Sequence, residues 1–237
     1  MGFLVNSFIE FPAASFSPDD ISDLQAWYDF SDISTITKDG SNRVSAVADK
    51  SGNDFTLSQA TTDDKPLWES AEQNGLDVID FDGDRFMQTG AWSAISQPNT
   101  IVGVILFPVN DSTNRKIFNG IGSGNRAQFF KTATDDTWAM YAGATISGVK
   151  TGVANTWKEF YTLWNTTSSI AEIDGASVIS SGNVGSQTLT GLTVSAHHDG
   201  SEEYGDNKVG EIIIYNKNVS GTEKTSLMQY LTDKWGV

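Results

Sequence analysis

The chain has 237 residues, a formal net charge of −15 at pH 7 and no cysteine. The lack of cysteine excludes disulfides and thiolate zinc sites, and the acidic charge argues against binding to nucleic acid or insertion into anionic membranes. Charged residues make up only 19% of the chain and glycine occurs 22 times, which favours short strands and turns over a helical bundle.

Residues 1–16 predict an apolar N-terminal arm. An arm of this kind ahead of a domain usually docks on another surface, often as an added strand. The predicted docking residues are Phe3, Val5, Phe8, Ile9 and Phe11. The first basic residue is Lys38, so the start of the chain lacks the positive region of a secretory signal and none is expected.

Residues 17–237 predict a single all-β domain that ends in one helix. Short segments rich in β-branched and aromatic residues alternate with clusters of Gly, Asn, Asp and Ser. The predicted strands are residues 24–30, 55–59, 77–81, 99–109, 115–119, 127–131, 138–141, 159–165, 169–173, 177–180, 192–195 and 209–215. Asp174 and Gly175 predict a two-residue hairpin turn, which requires positive φ angles.

The C-terminus predicts an amphipathic helix. Residues 220–223 (SGTE) match the capping-box pattern of a helix start. Leu227, Met228, Leu231 and Trp235 follow at helical spacing. Gly236 is then the residue expected to end the helix.

Calcium is the only cofactor that the sequence suggests. Asp80, Asp82 and Asp84 surround a tight turn, and hard oxygen ligands suit Ca²⁺, although the spacing is not that of an EF-hand. His197 and His198 are the only histidines. Because neighbouring residues on a strand point in opposite directions, this pair is not expected to share a metal ion.

Four aromatic residues near predicted loops are candidates for carbohydrate binding, because sugar rings stack on flat aromatic faces. They are Trp92, Trp138, Tyr141 and Tyr204. Trp68 also lies near a loop, whereas Trp27, Trp157, Trp164 and Trp235 lie within strands or on the apolar helix face, where core packing is the expected role.

Catalytic carboxylates are not evident in the sequence. A β-sandwich glycanase would present a pattern such as Glu-x-Asp-x-x-Glu, since glycoside hydrolysis uses two carboxylates. Glu172 and Asp174 begin such a pattern, but residue 177 is serine. The sequence therefore predicts that the chain is not an enzyme and keeps a glycanase acting through Glu172 as the weakest alternative.

Several segments taken together resemble the concanavalin A-like lectin/glucanase superfamily in its laminin-G-like branch. They are residues 24–29 (LQAWYD), 49–53 (DKSGN), 78–84 (VIDFDGD), 210–216 (GEIIIYN) and 230–236 (YLTDKWG). The resemblance covers residues 17–237 and implies a two-sheet antiparallel jelly-roll sandwich.

Residues 3–8 (FLVNSF) resemble the start of many bacteriophage virion structural proteins. The expected function is therefore a capsid decoration or tail-associated protein on the virion surface, made in the host cytoplasm without a signal peptide. Its expected partners are other virion proteins, reached through the arm, and further copies of itself. The alternative is a receptor-binding or glycan-adhesion module whose partner is a surface glycan.

Overall fold

Two antiparallel sheets and one helix form the computed structural model, which describes residues 16–106, 113–133, 137–150 and 155–237. The strands in chain order are β1 (Leu24–Asp29), β2 (Ile36–Lys38), β3 (Val44–Val47), β4 (Leu57–Ser58), β5 (Leu67–Gln73), β6 (Leu76–Asp80), β7 (Met87–Thr89), β8 (Asn99–Leu106), β9 (Arg115–Asn119), β10 (Gln128–Lys131), β11 (Thr137–Tyr141), β12 (Thr145–Lys150), β13 (Trp157–Trp164), β14 (Ser169–Ile173), β15 (Ala176–Gly182), β16 (Thr193–Val194) and β17 (Lys208–Tyr215). The helix α1 is Gly221–Trp235.

The back sheet has the strand order β15-β14-β13-β8-β17-β6-β5, with β1 also paired to β17. The front sheet has the order β12-β11-β10-β9-β16-β7-β4-β3-β2. The strand pairings of the described residues are antiparallel in both sheets. The predicted all-β, two-sheet jelly-roll sandwich with a C-terminal helix is therefore confirmed.

The back sheet is covered on both faces. One apolar cluster fills the space between the sheets, and a second lies between the back sheet and α1, where it includes Trp27, Tyr161 and Trp235. For this reason β8 and β17 are almost continuously buried, and their sequences lack the alternation of a strand with one wet face. The front sheet has no such helix among the described residues, so its outer face is left for polar side chains.

The helix forms where the sequence predicts it, but its start differs in detail. Leu227, Leu231 and Trp235 are buried, and Gly236 ends the helix with a φ of +67°. The predicted capping box is wrong, because Ser220 makes no side-chain capping bond. Glu223 pairs instead with Lys217, at 2.9 Å.

Five strands were not predicted from the sequence: β2, β3, β5, β7 and β12. Most are short or polar. In β5 the pairing to β6 is irregular between Glu69 and Gln73, and Ala71 has a φ of +57°. Such a break removes the period-2 alternation that identifies a strand. The predicted Asp174-Gly175 turn is confirmed, with φ angles of +47° and +70°.

A buried charge network joins β1, β17 and α1. The Glu211 carboxylate is fully buried and accepts hydrogen bonds from the indoles of Trp27 (2.6 Å) and Trp235 (2.8 Å). It also accepts from the hydroxyl of Tyr230 (2.9 Å) and the ammonium of Lys234 (2.8 Å). These contacts fix the helix against the back sheet.

The predicted docking residues of the arm, Phe3, Val5, Phe8, Ile9 and Phe11, lie outside the described residues. Within the described part of the chain, no helix has the length and hydrophobicity needed to cross a membrane.

Candidate functional site

Asp80, predicted as a calcium ligand, ends β6, and the other two predicted ligands, Asp82 and Asp84, lie in the turn that follows. The backbone N–H of Asp82 donates to Asp80 at 3.0 Å. The guanidinium of Arg85 contacts Asp82 at 3.2 Å and Asp84 at 3.5 Å. These three carboxylates are not among the described groups whose ligand atoms converge within 4.8 Å. An arginine therefore stands where the predicted Ca²⁺ would need converging oxygens.

Two of the four candidate carbohydrate-binding aromatics are core residues. Trp92 is 6% exposed, packs on Phe55 and donates its indole N–H to the carbonyl of Leu189 at 3.1 Å. Trp138 is 4% exposed and stacks on Phe129. Proximity to loops in the sequence was misleading, because β11 and the segment around Trp92 face the apolar space between the sheets. Neither ring is available for stacking on a sugar.

Tyr141 and Tyr204 are half-buried and lie on separate elements. Tyr141 ends β11, where the guanidinium of Arg126 lies 4.7 Å from its ring centroid and donates to its hydroxyl at 3.1 Å. Tyr204 belongs to the loop after β16, donates to the carbonyl of Gly200 at 2.7 Å and packs near Phe86. Tyr204 thus holds its own loop in place, whereas Tyr141 presents a ring and a cation together.

Polar side chains from neighbouring strands cover the outer face of the front sheet. Gln88 of β7 is opposite Thr193 of β16, and Thr193 is opposite Asn119 of β9. Side chains of such cross-strand pairs lie side by side on one face. The Gln88 amide donates to the hydroxyl of Thr193 (2.8 Å) and to the carbonyl of His198 (2.7 Å). The six residues Gln88, Asn119, Arg126, Tyr141, Thr193 and His198 are called the polar face below.

Asn119 is the one member of the polar face that is fully buried without a partner. Its side chain is 0% exposed, and neither its amide nitrogen nor its carbonyl oxygen has a hydrogen-bond partner. A buried amide of this kind costs stability unless an ordered water or a ligand group satisfies it. The sequence contained no signal for this position, since Asn119 reads simply as the end of a strand.

The turn after β16 brings both histidines to the edge of the polar face. The rings of His197 and His198 have centroids 4.2 Å apart, and His197 Nδ1 lies 3.0 Å from an oxygen of Asp199. The two histidines lie in a turn, so the rule that neighbouring residues on a strand face apart does not apply to them. Burial, with the neighbouring His197 and Arg126, lowers the pKa of His198.

A buried cation borders the polar face on β9. Lys116 is 3% exposed, lies 3.7 Å from the Phe130 ring centroid and pairs with Glu203 at 2.9 Å. Burial lowers the pKa of Lys116. Burial by itself would raise the pKa of Glu203, but the charge and hydrogen bond of Lys116 outweigh this effect and lower that pKa. The ion pair with Glu203 compensates the charge of this buried lysine at the edge of the polar face.

Glu172, the residue kept for the glycanase alternative, lies elsewhere, under α1. Glu159 and Glu172 line a cavity of about 420 Å³ on the helix side of the back sheet. Burial raises the pKa of Glu159. Both oxygens of Glu172 accept from Lys224 at 2.7 Å, so this carboxylate is neutralised by an ion pair rather than free to attack.

Comparisons with known proteins relate the fold of this chain to glycan-binding structures. No family model and no curated protein matches the chain. Trypanosoma rangeli sialidase in complex with sialic acid aligns with a TM-score of 0.60 and 12% identity, covering 90% of this chain and 33% of that chain. The present chain therefore spans a third of the sialidase.

Two smaller structures align at a similar level. Domain 4 of AbnA, a GH43 extracellular arabinanase from Geobacillus stearothermophilus in complex with arabinotriose, has a TM-score of 0.57 and 12% identity, with 81% of this chain and 92% of that chain covered. The ligand binding domain of botulinum neurotoxin serotype D in complex with N-acetylneuraminic acid has a TM-score of 0.61 and 11% identity, covering 90% and 51%. The fold is thus a lectin-type β-sandwich, as the resemblance implied.

These structures overturn the prediction that the chain is not an enzyme. Sialidases and a domain of an arabinanase share the fold. The prediction that the chain is not an enzyme depended on the absence of one carboxylate pattern, Glu-x-Asp-x-x-Glu. The same fold occurs in chains of glycan-cleaving enzymes whose sequences differ from the present one at most positions. At these identities the comparison describes the fold alone.

Proposed function

We propose that this chain is a lectin-like, glycan-binding module and that the polar face of the front sheet is its binding site. The observation that carries the proposal is the Arg126–Tyr141 pair. The guanidinium is held 4.7 Å from the ring centroid and donates to the Tyr141 hydroxyl at 3.1 Å, and both residues are half-buried. A planar donor beside a half-exposed aromatic ring suits a sugar, whose hydroxyls or carboxylate accept hydrogen bonds while its C–H face stacks.

Three further features support this choice of surface. Gln88, Thr193 and the carbonyl of His198 are already joined in one hydrogen-bonded row beside the pair, so they lose little freedom on binding. The face is not covered by α1, which packs on the other sheet. Structures of similar fold carry arabinotriose, sialic acid and N-acetylneuraminic acid, which makes neutral and acidic sugars the first probes.

Arg126→Ala should weaken glycan binding at least tenfold, because the substitution removes both the donor and the cation from the face. Tenfold corresponds to about 1.4 kcal/mol, the range of one charge-assisted hydrogen bond. The measurement is a glycan array that includes arabinan and sialylated oligosaccharides, followed by calorimetric titration of each sugar that binds.

Arg43→Ala is the matched control, since Arg43 precedes β3 near the other end of the front sheet and its guanidinium donates to the carbonyl of Thr62 at 3.1 Å. It should bind as the native chain does. Absence of binding to every sugar, or equal affinity of the Arg126→Ala variant, would remove the proposal.

The finer part of the proposal places this module on the surface of a bacteriophage particle, as a decoration or tail-associated protein made in the host cytoplasm. Residues 1–16 would attach it to other virion proteins, and several copies would assemble together. The support is the resemblance of residues 3–8 to phage virion proteins and the acidic net charge of −15, which limits non-specific contact between exposed copies.

Deletion of residues 2–14 should abolish incorporation into particles while the sandwich still folds, because the strands of both sheets lie within residues 24–215. Incorporation is measured as copy number in particles purified by density gradient, and folding by circular dichroism of the isolated variant. Normal copy numbers in the deletion variant would show that the arm is not the attachment segment.

A further inference from the structure

His197, His198 and Asp199 form the only group of three His or acidic side chains, among the residues that the structure describes, whose ligand atoms all lie within 4.8 Å of one another. His197 Nδ1 and Asp199 Oδ1 are 3.0 Å apart. Two ligands of a tetrahedral zinc ion, at bonds of about 2.0–2.2 Å, stand about 3.3–3.6 Å from each other. Small side-chain rotations therefore suffice to bring all three groups onto one ion.

The turn that carries these residues is held on both sides. The N–H of His197 donates to Glu202 and the N–H of Gly200 donates to His197, both at 2.9 Å. The His198 carbonyl accepts from Gln88. Gly200 has a φ of +70°, and a Cβ there would lie 2.2 Å from the ring of Phe86, so only glycine permits this turn. A turn fixed by its backbone leaves the imidazoles pre-oriented, which lowers the entropic cost of ligation.

The donor set determines which ion can bind. Two imidazoles and one carboxylate suit Zn²⁺ and its transition-metal neighbours, whereas Ca²⁺ and Mg²⁺ prefer all-oxygen sites. Both imidazoles are half-buried and Asp199 is exposed, so an ion can enter from solvent. Ser201 donates to the same Asp199 oxygen at 2.6 Å, which orients the carboxylate as an outer-shell partner does.

We propose that His197, His198 and Asp199 bind one divalent transition-metal ion of the Zn²⁺ class at the edge of the polar face. With three protein ligands, a tetrahedral ion keeps one position for solvent or another small ligand. The test of this metal site does not depend on the proposed glycan binding, because the metal titration is carried out without sugar. Either proposal can fail while the other holds.

The test is calorimetric titration of the full chain, prepared without a polyhistidine tag, with ZnCl₂ and then NiCl₂. The expected result is one ion per chain, with binding at least tenfold weaker in His197→Ala and in His198→Ala. Asp84→Asn is the control, since it removes an exposed carboxylate from the other acidic turn, and it should bind as the native chain does. Millimolar CaCl₂ should not compete.

Imidazole NMR gives a second readout, because the whole sequence contains only two histidines. Both ring signals should shift together at one equivalent of Zn²⁺. The variants His197→Gln and His198→Gln keep side chains of similar size and polarity, so they separate the loss of a metal ligand from a loss of folding. Their melting curves in EDTA should match that of the native chain. Equal zinc affinity in the double alanine variant, or no binding by the native chain at millimolar zinc, would overturn the proposal.

Discussion

Glu211→Ala should lower the free energy of unfolding by about 3–5 kcal/mol, the cost of breaking a buried, hydrogen-bonded ion pair from one side. Four donors from Trp27, Tyr230, Lys234 and Trp235 converge on this fully buried carboxylate. Alanine would leave the buried indole N–H groups of Trp27 and Trp235 without their acceptor, whereas Lys234 would keep its ion pair with Asp29 at 2.8 Å.

Because the substitution removes contacts that hold α1 against the back sheet, we expect a change in the fluorescence of the nearby tryptophans. The loss of stability itself is measured by urea unfolding monitored by circular dichroism. Glu223→Ala is the matched control. Its side chain is 43% exposed and pairs with Lys217, so its removal should cost about 0–1 kcal/mol. A loss below 1 kcal/mol for Glu211→Ala would mean that the network does not anchor the helix.

Gly103→Ala should lower the free energy of unfolding by about 3 kcal/mol. Gly103 lies in β8 between β13 and β17. A Cβ at this position would lie 2.3 Å from the backbone oxygen of Glu211 and 2.9 Å from the ring of Phe160. A backbone oxygen cannot rotate away as a flexible side chain can, so the central strands of the back sheet would have to separate.

The measurement is the urea midpoint of Gly103→Ala compared with that of Gly90→Ala, where a Cβ would meet nothing within 4 Å. The Gly90 variant should remain within about 0.5 kcal/mol of the native chain. Similar midpoints for the two variants would show that β8 and β17 can move apart at little cost. The spacing of the central strands would then not be set by this glycine.

Candidate binding residues were harder to predict than strands. Tyr141 stayed on the surface while Trp92 and Trp138 became core, although all three lie near loops in the sequence. The difference between Tyr141 and the two tryptophans lies in whether the side chain points toward or away from the opposite sheet. That sheet is formed by residues distant in the sequence. Arg126 was not singled out at all, because a lone arginine before a strand has no local pattern that reveals its partner.

The histidine pair shows the same limit at short range. The argument that neighbours on a strand face apart is sound physics, but it was applied to residues that lie in a turn. Ser195, with a φ of +67°, ends the short strand β16 before the histidines. A serine in that conformation has no sequence signature comparable to Asp174-Gly175.

Local chemistry in the sequence by itself determined the all-β class, the Asp174-Gly175 hairpin and the C-terminal helix, because a positive φ or a helical apolar period is readable within a few residues. Only the tertiary structure decided that Trp27 reaches Glu211 across 184 positions and that Gln88, Asn119 and Thr193 share one face. Those contacts follow from the order of strands in the sheets. That order depends on contacts between segments that are distant in the sequence, so it cannot be recognised from the residues of any single segment.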